Sequence, residues 1–217
     1  MTIHLCFHGI GTIRTEREPG EARYWVAEDE FLRILDLVQG RDGIELSFDD
    51  GNRSDAEIAL PALIERELDA TFFALAGRLH DPLSLDRDTL RLLRAWGMRI
   101  GSHGWDHVPW RGLDEEGARR EFVDARTALE EASGGRIKHA ALPLGRYDRA
   151  TLRRLKEAGY WAVFTSDRFP ANNGAWLRPR YSVTATDTAE SVLRILDGGP
   201  RIDDAVRLGK SLVKRMR

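Results

Sequence analysis

The sequence predicts an α/β protein with a parallel sheet and helices outside it. Strand-length apolar runs alternate with helical stretches along the 217 residues, which is the pattern of successive strand–helix–strand units. Two helical stretches carry apolar stripes, Phe31, Leu35 and Val38 in one and Ala118, Phe122, Ala125 and Leu129 in the other. Two strand-like runs stop at acidic or histidine residues, and strand ends feeding loops are where α/β folds gather chemistry.

Taken in order, 3–8 is the first strand and ends at His8. It contains Cys6, the only cysteine, so no internal disulfide and no multi-cysteine zinc site forms; its apolar setting marks an ordinary buried residue. A helix over 28–39 precedes the strand 44–49, where Ile44-Glu45-Leu46-Ser47-Phe48 alternates at the strand period of two and delivers Asp49 and Asp50 to its end. A helix over 55–67, a strand over 71–75 and a helix over 87–96 follow. The strand 99–103 ends at His103, with His107 four residues on. Then come a helix over 114–132, strands over 139–143 and 161–165 flanking a helix over 149–158, a strand over 180–184 and a helix over 188–196. The terminal helix, 203–217, carries Ala205, Val206, Leu208, Leu212, Val213 and Met216, with Arg207, Lys210, Lys214, Arg215 and Arg217 as its solvated face. About seven strands suit either a barrel or an open doubly wound sheet.

Neighbouring residues of a strand point to opposite faces, so Asp49 and Asp50 share a pocket only if the chain turns there, and Gly51 is placed to supply the turn. His103 and His107 face one point if the chain bends into a helix or turn. Two neutral imidazoles and one carboxylate form a facial set for zinc or another divalent first-row metal, with water in an open position.

The composition, 42% hydrophobic and 31% charged, fits a single globular domain over 1–217. A net charge of −2 supplies no attraction for nucleic acid. No apolar run reaches membrane-spanning length and no basic, then hydrophobic leader precedes the first strand, so a cytoplasmic location is expected. His8-Gly9-Ile10-Gly11 is too short for a dinucleotide fingerprint; no phosphate loop and no Gly-x-Ser-x-Gly appear, which argues against nucleotide hydrolysis, a nicotinamide cofactor and a serine hydrolase.

Ser47-Phe48-Asp49-Asp50-Gly51 and Ser102-His103-Gly104-Trp105-Asp106-His107 resemble the first two motifs of the polysaccharide deacetylases that share the NodB-homology domain, carbohydrate esterases that take acetyl groups from amino sugars. Cys6-Phe7-His8-Gly9-Ile10-Gly11 is similar to the opening of their exopolysaccharide-associated branch, and Ala70-Thr71-Phe72-Phe73 to their third strand; the resemblance covers roughly 3–184. It implies a distorted, incomplete (β/α) barrel, a catalytic base at Asp49, and metal ligation by Asp50, His103 and His107. Leu142-Pro143-Leu144-Gly145-Arg146-Tyr147-Asp148 lines up with the third motif, but Ala141 stands where an arginine that steadies the base is expected, and no histidine follows His139 to protonate the leaving amine.

Arg180 matches a pattern of the exopolysaccharide-associated branch and is the candidate for the missing guanidinium, since an adjacent cation keeps a carboxylate ionised and oriented. His8, at the same end of a parallel sheet as Asp49, is the candidate acid; His139, at a strand start, is assigned a structural role. Trp105, Trp110, Phe169 and Trp176 fall in loops, where each alone reads as loop packing and several at one rim would wall a sugar groove; Trp105 and Trp176 are the candidate substrate contacts. The expected reaction is metal-dependent N-deacetylation of an amino sugar, with zinc first and cobalt, nickel or iron compatible. The alternatives are a noncatalytic carbohydrate-binding or assembly protein on the same fold, and a metal-dependent hydrolase of another non-peptide C–N bond.

Overall fold

The computed structural model describes residues 1–198 and 202–216. The chain runs through β1 (Ile3–Phe7), β2 (Gly9–Ile10), β3 (Trp25–Val26), α1 (Glu28–Val38) and β4 (Ile44–Phe48). A π-helical turn, Asp55–Ala59, opens α2 (Leu60–Glu65), followed by β5 (Ala70–Ala74), α3 (Arg87–Ala95) and β6 (Arg99–Ser102). α4 (Glu115–Arg119) passes through a second π-helical turn, Arg120–Asp124, into α5 (Ala125–Ser133). Then come β7 (His139–Ala141), α6 (Arg149–Glu157), β8 (Ala162–Thr165), β9 (Leu177–Pro179), β10 (Tyr181–Ser182), α7 (Ala189–Leu196) and α8 (Ile202–Met216).

Among the described residues the main sheet has eight strands in the order β10-β1-β4-β5-β6-β7-β8-β9, every neighbouring pair parallel. Its two edge strands, β9 and β10, are consecutive in sequence and separated by Arg180 alone. The sheet therefore curls into a nearly closed, distorted barrel, and the open doubly wound alternative is set aside. In the main sheet the strand beyond the expected set is β9, and the short parallel pair β2 and β3 lies outside that set as well. Leu177-Arg178-Pro179 has no apolar alternation, and its proline is tolerated because β9 is an edge.

Side chains alternate between two environments. Leu5, Phe7, Leu46, Phe48, Phe72 and Ile100 face outward under the helices, where they meet the predicted stripes. The barrel interior holds a smaller cluster, Phe73, Ala141, Ala162 and Phe164. Gly101 leaves room for it, since a Cβ there would stand 2.3 Å from the Phe73 ring.

His4 and His139 also meet this interior, with their rings edge-on to Phe164 at 5.5 and 5.8 Å. Burial first, and the nearby arginines second, lower the His4 imidazole to about 3 and that of His139 to about 4. In the unfolded chain both protonate near 6.5. Between that value and about 4 the unfolded state binds the extra protons, so stability falls as pH drops through this window. Urea denaturation of metal-free protein at pH 7, 5.5 and 4.5 is expected to show a shallower loss for a His4→Gln/His139→Gln variant than for wild type. Equal slopes would refute this account.

The terminal helix is corrected in one respect. Arg217 of the predicted element lies outside the described residues. In α8 the apolar Val206, Leu208, Leu212, Val213 and Met216 are exposed, and the helix docks through polar groups instead. Ser211 is buried against the Tyr147 hydroxyl at 2.9 Å, and Lys214 Nζ donates to Asp167 at 2.6 Å. An apolar helical stripe identifies an amphipathic helix without saying which face a neighbour covers.

Candidate metal centre

Parallel strands end on one rim, so residues far apart in sequence meet there. His8 follows β1, Asp49 follows β4, His103 follows β6 and Arg180 follows β9. All four line a cavity of about 270 Å³, together with Asp50 and His107.

The turn after β4 begins one residue earlier than the glycine suggests. Asp50 itself has φ 72° and Gly51 φ 62°. Aspartate is one of the few side chains that visits this left-handed region. Two such residues in succession break the strand alternation and bring both carboxylates to the same pocket. The histidine loop is likewise a sharp bend rather than a helix, with φ 88° at Gly104 and 57° at His107. The buried carboxylate of Glu121 holds that bend, accepting from the Trp105 and Asp106 backbone N–H groups at 2.8 and 3.1 Å and from Trp110 Nε1 at 3.1 Å.

This backbone places Asp50 Oδ1 3.5 Å from His103 Nε2 and 3.3 Å from His107 Nε2. His103 Nδ1 lies 2.9 Å from the Ala141 carbonyl, which only accepts, so that nitrogen carries the proton. His107 Nδ1 faces both oxygens of Glu18 at 2.8 and 2.7 Å and is protonated for the same reason. Burial lowers the His103 imidazole to about 4, so the ring is neutral at pH 7. Both Nε2 atoms therefore face a carboxylate oxygen that is buried and has no hydrogen-bond partner. Two ring nitrogens and a carboxylate oxygen converge on one point while both Nδ1 atoms are engaged elsewhere, and this donor set fits a divalent metal. Two metal–ligand lengths come to about 4.0–4.4 Å, longer than either separation.

Asp49 is held apart from this set. Its two oxygens take Arg180 Nη1 and Nη2 at 2.6 and 2.7 Å, a bidentate pair, and Arg180 Nη1 also donates to Ser47 Oγ at 3.1 Å. Burial opposes the Asp49 charge, but Arg180 and then His103 outweigh it and hold the carboxyl below the usual carboxylate range. The guanidinium sits over the Phe73 and Phe164 rings at 5.2 and 5.7 Å. Ala141 belongs to the cluster made by those two rings. A small residue at 141 thus leaves interior space for an arginine arriving from the barrel seam.

His8 lines the cavity, its ring stacked on Tyr24 at 4.6 Å and its Nδ1 buried without a partner. Trp105, Trp110, Phe169 and Trp176 do not line it, which corrects the expected aromatic wall. Trp105 carries the Arg120 guanidinium at 4.6 Å, Trp110 is 1% exposed on Glu121, and Phe169 is buried. Trp176 precedes β9, so it stands at the opposite rim and donates to the Tyr160 carbonyl at 2.8 Å. In their place the cavity has Tyr24, Leu144, Ser166 and the pair Glu18 and Arg78. Sequence reading missed Glu18, whose one local signal is the Pro19-Gly20 turn that follows it.

A nearly closed parallel barrel with two imidazoles and a carboxylate converging on its rim defines a barrel protein whose rim carries a donor set fit for a divalent metal. The chain belongs to the polysaccharide deacetylase family, whose profile matches residues 38–163. A Bacillus subtilis protein named for the same family, YxkH, is 25% identical over 177 residues, covering 75% of this chain and 63% of its own length, so the chain spans less than two thirds of that relative. The chitooligosaccharide deacetylase of Rhizobium leguminosarum bv. trifolii is 26% identical over 167 residues, 72% of each chain. Among solved structures, the Streptococcus pyogenes deacetylase PplD, in complex with acetate, superposes with a TM-score of 0.76 at 19% identity, covering 90% of this chain and 98% of that one. That likeness speaks for the fold.

Proposed function

We propose that the protein is a metal-dependent hydrolase that removes an N-acetyl group from an amino sugar in a glycan, a glycolipid or a smaller precursor. One observation carries the reading: an arginine-held, ionised carboxylate stands beside the three converging donors, with His103 Nε2 3.8 Å from Asp49 Oδ2. Asp50, His103 and His107 would hold the cation. Zinc is the first choice for two imidazoles and a carboxylate; cobalt, nickel or iron suits the same donors. When bound, such a cation polarises the acetyl carbonyl and lowers the pKa of the attacking water.

The chain's own residues account for the proton transfers. Asp49 takes a proton from the water as its oxygen bonds to the acetyl carbon. Arg180 keeps that carboxylate ionised and fixes its direction. The tetrahedral carbon then expels the amine nitrogen, and His8 supplies the proton that nitrogen needs, giving acetate and a free amino sugar. Its place on the cavity wall and its unpartnered Nδ1 support this role for His8.

Metal analysis of protein prepared without chelator is expected to give about one equivalent of a divalent ion, lost in His103→Ala and in His107→Ala. Unchanged binding in both variants would remove the proposed centre. The activity test is acetate release from a panel of N-acetylated amino sugars and oligosaccharides. Release that disappears on chelation and returns with added metal supports the reading; release that survives chelation argues against it.

A further inference from the structure

Residues 11–24 cross the rim as a strap between β2 and β3, and two consecutive side chains tie that strap to both donor loops. Arg17 reaches Asn52, next to the Asp49-Asp50-Gly51 turn, together with Glu21 and, at 2.8 Å, Ser84 Oγ. Glu18 takes His107 Nδ1 on both oxygens and is also paired with Arg78. Glu21 and Tyr24 from the same strap line the cavity, and Tyr24 stacks on His8.

We propose that Glu18 is a positioning residue that prepares His107 to bind metal. This rests on the metal reading above. His107 sits in a sharp bend with φ 57°, and the group that meets its Nδ1 there is the Glu18 carboxylate, at 2.8 and 2.7 Å. A carboxylate on Nδ1 fixes the ring plane, selects the tautomer whose Nε2 lone pair faces Asp50, and raises the basicity of that lone pair. Arg78 pins the carboxylate in turn, which keeps Glu18 from swinging into solvent. The neighbouring ligand is prepared differently, since His103 Nδ1 rests on the neutral Ala141 carbonyl. Of the two imidazoles, His107 is therefore the one whose donor strength depends on a side chain, and on a charged one.

The test measures zinc affinity by competition with a chromophoric chelator, and so does not depend on turnover. Loss of such a supporting carboxylate is expected to weaken binding by about 10- to 100-fold in Glu18→Ala. Glu18→Gln, which can still accept from Nδ1 but carries no charge, is expected to fall between, and Glu18→Asp to recover part of the loss. Arg14→Ala serves as the strap control: Arg14 is exposed on the same segment and is expected to leave affinity unchanged. The ¹⁵N shifts of metal-free wild type are expected to show His107 protonated at Nδ1, a signature that Glu18→Ala loses. Tight zinc binding unaltered by Glu18→Ala, or weakened equally by Arg14→Ala, would overturn the role given to Glu18 while leaving the metal centre standing. Wild-type protein that takes up no divalent cation would overturn the metal reading itself.

Discussion

Asp49→Asn is expected to lower acetate release by about 10²- to 10⁴-fold, the range that a general base contributes, while metal content stays near the wild-type value. The amide nearly matches the carboxylate in size but takes no proton. Asp50→Ala, by contrast, is expected to lower metal content and release together, because its Oδ1 meets both Nε2 atoms. Acetate assays run beside metal analysis separate the two aspartates. Release unaffected by Asp49→Asn would reject the proton-transfer role. The comparison must be made below the variant's lowered melting temperature, since an amide facing Arg180 replaces one of two charge-assisted hydrogen bonds with a donor–donor contact.

Arg180→Met carries the largest expected effect on stability. It removes the cation from a carboxylate buried at the base of the pocket, and breaking one side of a buried pair costs about 3–5 kcal/mol. The Asp49→Asn/Arg180→Met double variant is expected to recover most of that loss, because no uncompensated charge remains. Arg180→Lys keeps a charge without the fork that engages both oxygens, so it should fold better than Arg180→Met and still turn over slowly with a full complement of metal. Urea denaturation of wild type, Asp49→Asn, Arg180→Met and the double variant gives the coupling directly. A double variant no more stable than Arg180→Met would mean that the arginine acts through packing on Phe73 and Phe164 alone.

The candidate site was legible where its residues stand at the ends of regular elements. Asp49, Asp50 and His103 stand out because a strand's period runs straight into them, and His107 because it follows His103 by four residues. Arg180 could be matched to a pattern, but its contact with Asp49 depends on barrel closure, which no local period encodes. Glu18 lies in a strap with no strand or helix period, and only the fold brings it to a histidine 89 residues away. Loop position misled for Trp110 and Trp176, because a loop's place in sequence does not reveal whether its aromatic ring lies over the pocket or under it. The helices were legible from their stripes at Phe31 and Phe122, both buried as expected. In α8 the same kind of stripe is turned outward, since patterning tells which residues share a face and not which face is covered.

The one-residue seam between β9 and β10 sets an order of events during synthesis. Asp49 and its counter-charge are 131 positions apart, so the carboxylate emerges from the ribosome long before the guanidinium that lets it be buried. Until then β1 has β4 on one side and an open edge on the other, because its second neighbour is β10. The nascent barrel therefore cannot settle its charged interior piece by piece. Loop closure over that span must come first, and the rim that carries Asp49 and the last strand pairing are completed in the same step.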